Sequence, residues 1–105
     1  MSTIERVELR SLDDLIAELQ AEKEKLGRQY GIRSLGIFGS FVRGESQATS
    51  DLDILVDYWT PPTLFEFVRL QNELSDRLGL RVDLVMKSAL KPNIGARVLK
   101  EVVLV

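Results

Sequence analysis

Gly39-Ser40-Phe41-Val42-Arg43-Gly44-Glu45, followed after a short polar bridge by Ser50-Asp51-Leu52-Asp53-Ile54-Leu55-Val56-Asp57, is the stretch from which the fold can be read. The second half alternates. A strand over 51–57 would send Leu52, Ile54 and Val56 into a core and turn Asp51 and Asp53 to the other face. Their Cα atoms would lie roughly 6.6 Å apart, close enough for both carboxylates to reach one divalent cation or a pair of them. Two bare carboxylates side by side repel, so this face calls for a positive partner. Asp57 falls on the same face but two residues past Leu55, and reads as a surface position.

Upstream, Ile32 to Phe38 has the form of a strand that runs straight into Gly39-Ser40, with Leu35 and Ile37 on one face. Phe41 to Glu45 then makes a helical turn and 46–50 a loop. Further back, Ser11 stands as an N-cap with Asp13 and Asp14 in the first turn, where the helix dipole favours negative charge. Leu12, Leu15, Ile16, Leu19 and Leu26 recur at helical spacing, so an amphipathic helix should run to Tyr30-Gly31. Residues 1–10 read as a short strand or a loosely held arm.

Downstream, Tyr58-Trp59-Thr60-Pro61-Pro62 breaks the chain, because proline continues neither a strand nor a helix interior. Thr63 and Glu66 have capping-box spacing for a helix whose stripe is Leu64, Phe67, Leu70, Leu74 and Leu78 and whose stop is Gly79. Arg81 to Met86 predicts a third strand, with Val82, Leu84 and Met86 inward and Asp83 outward. After a turn over 88–91 come a last helix over 92–101 and an apolar tail or fourth strand over 102–105. The fold expected is a small α/β (α+β) sandwich: one domain over 1–105, a mixed sheet, and helices mainly on one side. Tyr58, Trp59 and Phe65 either cover the sheet edge or form a partner patch.

The composition narrows the chemistry. With no cysteine and no histidine, disulfides, zinc-thiolate sites and thiol or imidazole catalysis are excluded, leaving carboxylates, hydroxyls, lysine, arginine or an oxygen-ligated metal. A net charge of −2 argues against direct nucleic-acid binding. Locally, Lys87, Lys91, Arg97 and Lys100 are answered within residues 87–105 by Glu101 alone, a pattern that reads first as a solvated helix face. No apolar run approaches the ~20 residues a bilayer demands, and Met1-Ser2-Thr3-Ile4-Glu5-Arg6 lacks a signal-peptide form, so a cytoplasmic protein with no membrane partner is expected.

Asp51, Asp53 and Asp83 therefore share one property: each faces away from its strand's apolar side. If the second and third strands are neighbours, the three converge. Hard oxygen ligands suit Mg²⁺ or Mn²⁺, and magnesium completes its shell with substrate phosphates, so a nucleoside triphosphate is the natural second component. Gly39 lets a phosphate approach the backbone, the Ser40 hydroxyl can bond a phosphate oxygen, and Arg43 lies one turn further on. Neither the Walker loop nor the dinucleotide fingerprint is present. The competing readings are carboxylates paired with arginines such as Arg81, a plain capping role for Ser40, and plain surface charge for Arg43 and Lys87.

Gly39-Ser40, ten residues, Asp51-x-Asp53 and a lone Asp83 on a later strand together resemble the DNA polymerase beta-like nucleotidyltransferases. Gly-Ser-Phe-Val-Arg-Gly-Glu, Ser-Asp-Leu-Asp-Ile-Leu-Val, Val-Asp-Leu-Val and the closing Val-Leu-Lys-Glu-Val resemble its minimal nucleotidyltransferase group, over about residues 12–105. The resemblance implies that Asp51 and Asp53 bind metals, that Asp83 completes the site and takes the proton of the attacking hydroxyl, and that Gly39 and Ser40 hold the triphosphate of ATP. It also implies a partner, a HEPN-domain ribonuclease toxin, neutralised by transfer of AMP to a toxin tyrosine in a hetero-oligomeric toxin–antitoxin system. Two rivals are an antitoxin that acts by binding alone and a nucleotidyltransferase for a small molecule.

Overall fold

The computed structural model describes residues 11–47 and 49–105. The possible arm over 1–10 lies outside them. The described elements are α1 (Leu12–Tyr30), β1 (Ile32–Phe38), a one-turn helix α2 (Ser40–Arg43), β2 (Leu52–Tyr58), α3 (Leu64–Leu78), β3 (Val82–Met86), α4 (Pro92–Glu101) and β4 (Val103–Leu104), with a 3-10 turn at Lys87–Ala89 before α4.

Local chemistry sets most of these boundaries. Ser11 and Asp14 form a reciprocal capping box at the start of α1, and Thr63 and Glu66 do the same for α3. At its far end α3 stops on Gly79, whose φ of +70° continues no helix. Pro92 opens α4, where its missing N–H would have had no partner.

The four strands form a mixed sheet in the order β3-β2-β1-β4. β1 runs antiparallel to both β2 and β4, whereas β2 and β3, joined through α3, are parallel. One face carries the main core: Leu35 and Ile37 of β1, Leu52, Ile54 and Val56 of β2, and Val82 and Leu84 of β3 pack with Leu15, Leu19 and Leu26 of α1 and Leu70, Leu74 and Leu78 of α3. The other face is only partly covered. There Phe38 and Leu55 meet Val98 of α4, with Val85, Leu90 and Val102 beside them. The expected one-sided helix layer holds for α1 and α3, and α4 is the exception. Its position leaves half of the second face open to hold polar groups.

Two details correct the sequence reading. Leu64 is 79% exposed and outside the core stripe, because the capping box makes it the first residue of α3, turned away from the sheet. Trp59 and Phe65 do not cover a sheet edge: β2 is an interior strand, and both aromatic rings are exposed, Trp59 beneath the Arg33 guanidinium at 5.1 Å. Tyr58, by contrast, packs against the core. Its hydroxyl is buried without a partner among the described residues, and burial, with the Glu66 charge adding to it, pushes its pKa up to about 12. Tyr58→Phe should therefore leave stability unchanged or raise it by up to about 1 kcal/mol, since a buried unpaired hydroxyl is a cost. Urea denaturation tests this. A loss of more than that would mean the hydroxyl has a partner.

Candidate active site

The open half of the second face holds an acidic row. Because β1 and β2 pair Phe38 with Asp53, and β2 and β3 pair Asp53 with Asp83, these three residues stand side by side across the sheet. The parallel register brings the two aspartates together on neighbouring strands, as their outward positions in the sequence require. Burial, then the charges of Asp83 and Asp51 and a hydrogen bond with Asp83, push the Asp53 carboxyl up to about 6, while Arg43 pulls the other way.

Asp51 stands differently. It precedes β2 rather than lying within it, and its Oδ1 is 3.4 Å from Nε of Arg81. The cause is the start of the parallel ladder, where the Leu52 N–H donates to the Arg81 carbonyl at 2.8 Å and so places Asp51 and Arg81 side by side. This is the pairing foreseen as the competing reading for the acidic residues, and it applies to Asp51 alone. Among the described residues no three acidic side chains are gathered closely enough to cage an ion.

Gly39 joins the turn before α2 to the acids. Its φ of +84° and ψ of −152° belong to a conformation that side chains disfavour, and a Cβ built there would fall on the Asp53 carboxylate. The turn and the acidic row are thus in direct contact. Gly39, not Ser40, is the N-cap of α2. Ser40 is its first residue, half-buried, and the Ser40 carbonyl accepts from the Glu45 N–H at 2.9 Å. The capping role considered for the Ser40 side chain is not what this turn uses. Arg43 is exposed, and its guanidinium donates through Nη1 to Glu101 Oε1 at 2.8 Å and through Nε to Glu45 Oε1 at 3.0 Å. Lys87 is exposed in the 3-10 turn, and Asp57 lies 4.0 Å from Arg33, a surface pairing.

A cavity of about 310 Å³ opens over this group, lined by Gly39, Arg43 and Asp53 from the sheet side and by Ile94, Arg97 and Glu101 from α4. A wider groove of about 450 Å³ runs along α3 and contains none of the acidic row. Arg97 and Glu101 were missed in the sequence, where they read as part of a solvated basic face. Their spacing of one helical turn, together with Glu101 being the lone acid of its stretch, was the available signal.

The donor set fits a hard divalent cation. Two carboxylates in register, one pushed towards its neutral form by burial and then by its neighbours' charges, are what Mg²⁺ or Mn²⁺ would relieve, and all the ligands are oxygen. Asp51 would join them by leaving Arg81.

Comparison with known proteins identifies the family of the fold. The family model described as Polymerase beta, Nucleotidyltransferase matches residues 5–105. The protein adenylyltransferase MntA of Thermococcus cleftensis is 50% identical over 95 residues, covering 90% of this chain and 96% of that protein. A solved minimal nucleotidyltransferase superposes with a TM-score of 0.76 at 36% identity, over 90% of this chain and 95% of the other. A tri-AMPylated Shewanella oneidensis HEPN toxin in complex with MNT antitoxin shares the fold, with a TM-score of 0.63 at 20% identity over 86% of this chain and 70% of that one. No helix among the described residues is long and apolar enough to cross a membrane. With the Gly39 turn lying against the Asp53–Asp83 pair on this sheet, and with relatives matched over nearly its whole length, the chain belongs to the polymerase beta nucleotidyltransferase family, in its minimal nucleotidyltransferase branch.

Proposed function

We propose that this chain transfers AMP from ATP to a hydroxyl of a partner protein, a tyrosine of a HEPN toxin, and so acts as an antitoxin. One observation carries the proposal: Asp53, in register with Asp83, packs directly against the Gly39 turn, so a triphosphate on the turn would place its phosphates beside the carboxylates. The names of the relatives support the choice of acceptor, since one is a protein adenylyltransferase and another structure holds an AMPylated HEPN toxin with an MNT antitoxin.

In this reading Gly39 and Ser40 hold the triphosphate and Arg43 adds a charge-assisted contact. The acceptor oxygen bonds to the α-phosphorus as the bond to pyrophosphate breaks, and Asp83, the exposed member of the pair, takes the hydroxyl proton. Asp53 and Asp83, with Asp51, would hold Mg²⁺ or Mn²⁺, which would supply positive charge against the negative charge of the phosphates. Leu64, Phe65 and Val68 of α3 are exposed and offer apolar side chains to a partner, as does Trp59 after β2.

The test is intact mass spectrometry of a co-purified HEPN partner after incubation with Mg²⁺ and ATP. Wild-type protein should add about 329 Da per transfer, the mass of AMP joined as pyrophosphate leaves. The Asp51→Asn/Asp53→Asn double variant should co-purify as well and add nothing. If wild-type protein holds its partner yet adds no mass with any nucleoside triphosphate, the transferase reading fails and protection by binding alone replaces it.

A further inference from the structure

Glu101 ends α4, and its carboxylate reaches back across the sheet edge to the phosphate turn. Oε2 accepts from the Gly39 N–H at 2.6 Å and Oε1 from Arg43 Nη1 at 2.8 Å. The Gly39 N–H lies just past the short β1–β4 ladder, which pairs Gly36 with Leu104 and Ile37 with Val103. Glu101 supplies the acceptor there, two residues before β4 begins. The turn is therefore held from both flanks of β1: Asp53 touches Gly39 from the β2 side, and Glu101 holds its amide from the β4 side.

The carboxylate is built to stay charged. Burial alone would raise its pKa, but the bonds from Arg43 and the Gly39 amide outweigh that and hold it below the usual glutamate value. Arg43 in turn is fixed by Glu101 and Glu45 through Nη1 and Nε, and its remaining donors have no hydrogen-bond partner among the described residues. It can therefore grip an oxyanion without releasing Glu101, with its long side chain ordered before the ligand arrives.

Resting on the nucleotide-binding reading above, we infer that Glu101 is a positioning residue: through Arg43 and the Gly39 amide it presents the phosphate-binding donors to ATP without touching the nucleotide. Glu101→Gln separates the two contacts. The amide oxygen still accepts from Gly39, but Arg43 loses one of its two charged partners and keeps only Glu45.

The experiment is a double-variant cycle on the full chain, read by Mg²⁺–ATP binding and by the kinetics of transfer. Glu101→Gln should weaken ATP binding and raise KM roughly fivefold to tenfold, less than a direct charge-assisted bond to the ligand would cost because this pair is partly exposed and acts through Arg43, while kcat shifts less than about twofold. In an Arg43→Ala background the same change should do nothing further, because its effect passes through Arg43. Arg43→Lys, at an exposed position that the fold tolerates, is the second variant: a single ammonium cannot hold the fork to Glu101 and Glu45, so ATP binding should weaken there too.

Three results would overturn the inference: wild-type affinity in Glu101→Gln, tighter binding there (a carboxylate competing with phosphate), or effects that add in the double variant. Wild-type protein that binds no Mg²⁺–ATP would bring down the functional reading and this inference together. Wild-type binding with an unaffected Glu101→Gln variant overturns this one alone.

Discussion

Asp53→Asn should abolish AMP transfer and, at pH 7.5 without metal, raise the melting temperature. The two effects have one origin. In the folded chain the Asp53 carboxyl is pushed up to about 6, first by burial and then by the charges of Asp83 and Asp51, against an ordinary value of 3.8. A folded value above the unfolded one means that folding favours the neutral acid. That contribution to stability is complete below about pH 4, declines as the pH climbs, and is gone above about pH 6. At pH 7.5 the carboxylate is ionised next to another carboxylate. The rise from 3.8 to about 6 would correspond to about 3 kcal/mol, but Asp53 is partly exposed and solvent screens much of it, so about 1 kcal/mol is the reasonable expectation.

Asparagine keeps the shape and removes the charge. For a chain of 105 residues the gain amounts to roughly 5 °C at pH 7.5. It should shrink steadily through pH 6 and vanish near pH 4, where the wild-type carboxyl is itself neutral. Mg²⁺ should raise the melting temperature of the wild type and do so much less in the variant, since ligand binding stabilises only the protein that binds. Transfer, if Asp53 serves as the proposed metal ligand, should fall by about a thousandfold or more. Thermal melts across that pH range, with and without Mg²⁺, carry the measurement. A variant less stable than wild type at pH 7.5 would show that the acidic row is not under charge repulsion, and the physical argument for a cation there would lapse.

What the sequence made legible followed from short-range periodicity. Leu52, Ile54 and Val56 alternate with Asp53, so the inward and outward faces of β2 could be assigned without any knowledge of its neighbours. The same held for Asp83 on β3, and both capping boxes mark their helices from residues three apart. Whether Asp53 and Asp83 meet depends instead on strand order and register, and the order β3-β2-β1-β4 is written in no local pattern. Asp51 illustrates the limit. Its spacing from Asp53 places it on the same face of an extended chain, but the ladder to β3 begins one residue later and delivers it to Arg81. Glu101 was hidden more deeply. Its partners lie 62 and 58 residues away, and only the return of β4 along β1 brings the end of α4 to the phosphate turn.

Gly39→Ala should cost both the fold and the activity, and the reasons can be separated. The residue sits at φ +84° and ψ −152°, far from the small left-handed region that other side chains reach, which costs of order 1–3 kcal/mol for any L-residue with a Cβ. Independently, the added methyl would land on the Asp53 carboxylate, so either the turn or the acid must move. Glu101 resists movement of the turn by holding the Gly39 amide, and the ladder pairing Asp53 with Phe38 and Asp83 resists movement of the acid's backbone. The Asp53 side chain is the softest element, and its rotation breaks the contact between the phosphate turn and the acidic row. Gly44→Ala is the matched control. That glycine also has a positive φ, of 74°, but a Cβ there meets nothing within 4 Å. Its cost should be the backbone penalty alone, about 1 kcal/mol, with transfer per folded molecule close to wild type. Gly39→Ala should lose about 2–4 kcal/mol in urea denaturation and fall by more than a hundredfold in transfer even where it is fully folded, because a misplaced ligand near the reacting centre carries a penalty of that size. If Gly39→Ala and Gly44→Ala prove alike in both measurements, the contact between Gly39 and Asp53 has no part in the chemistry.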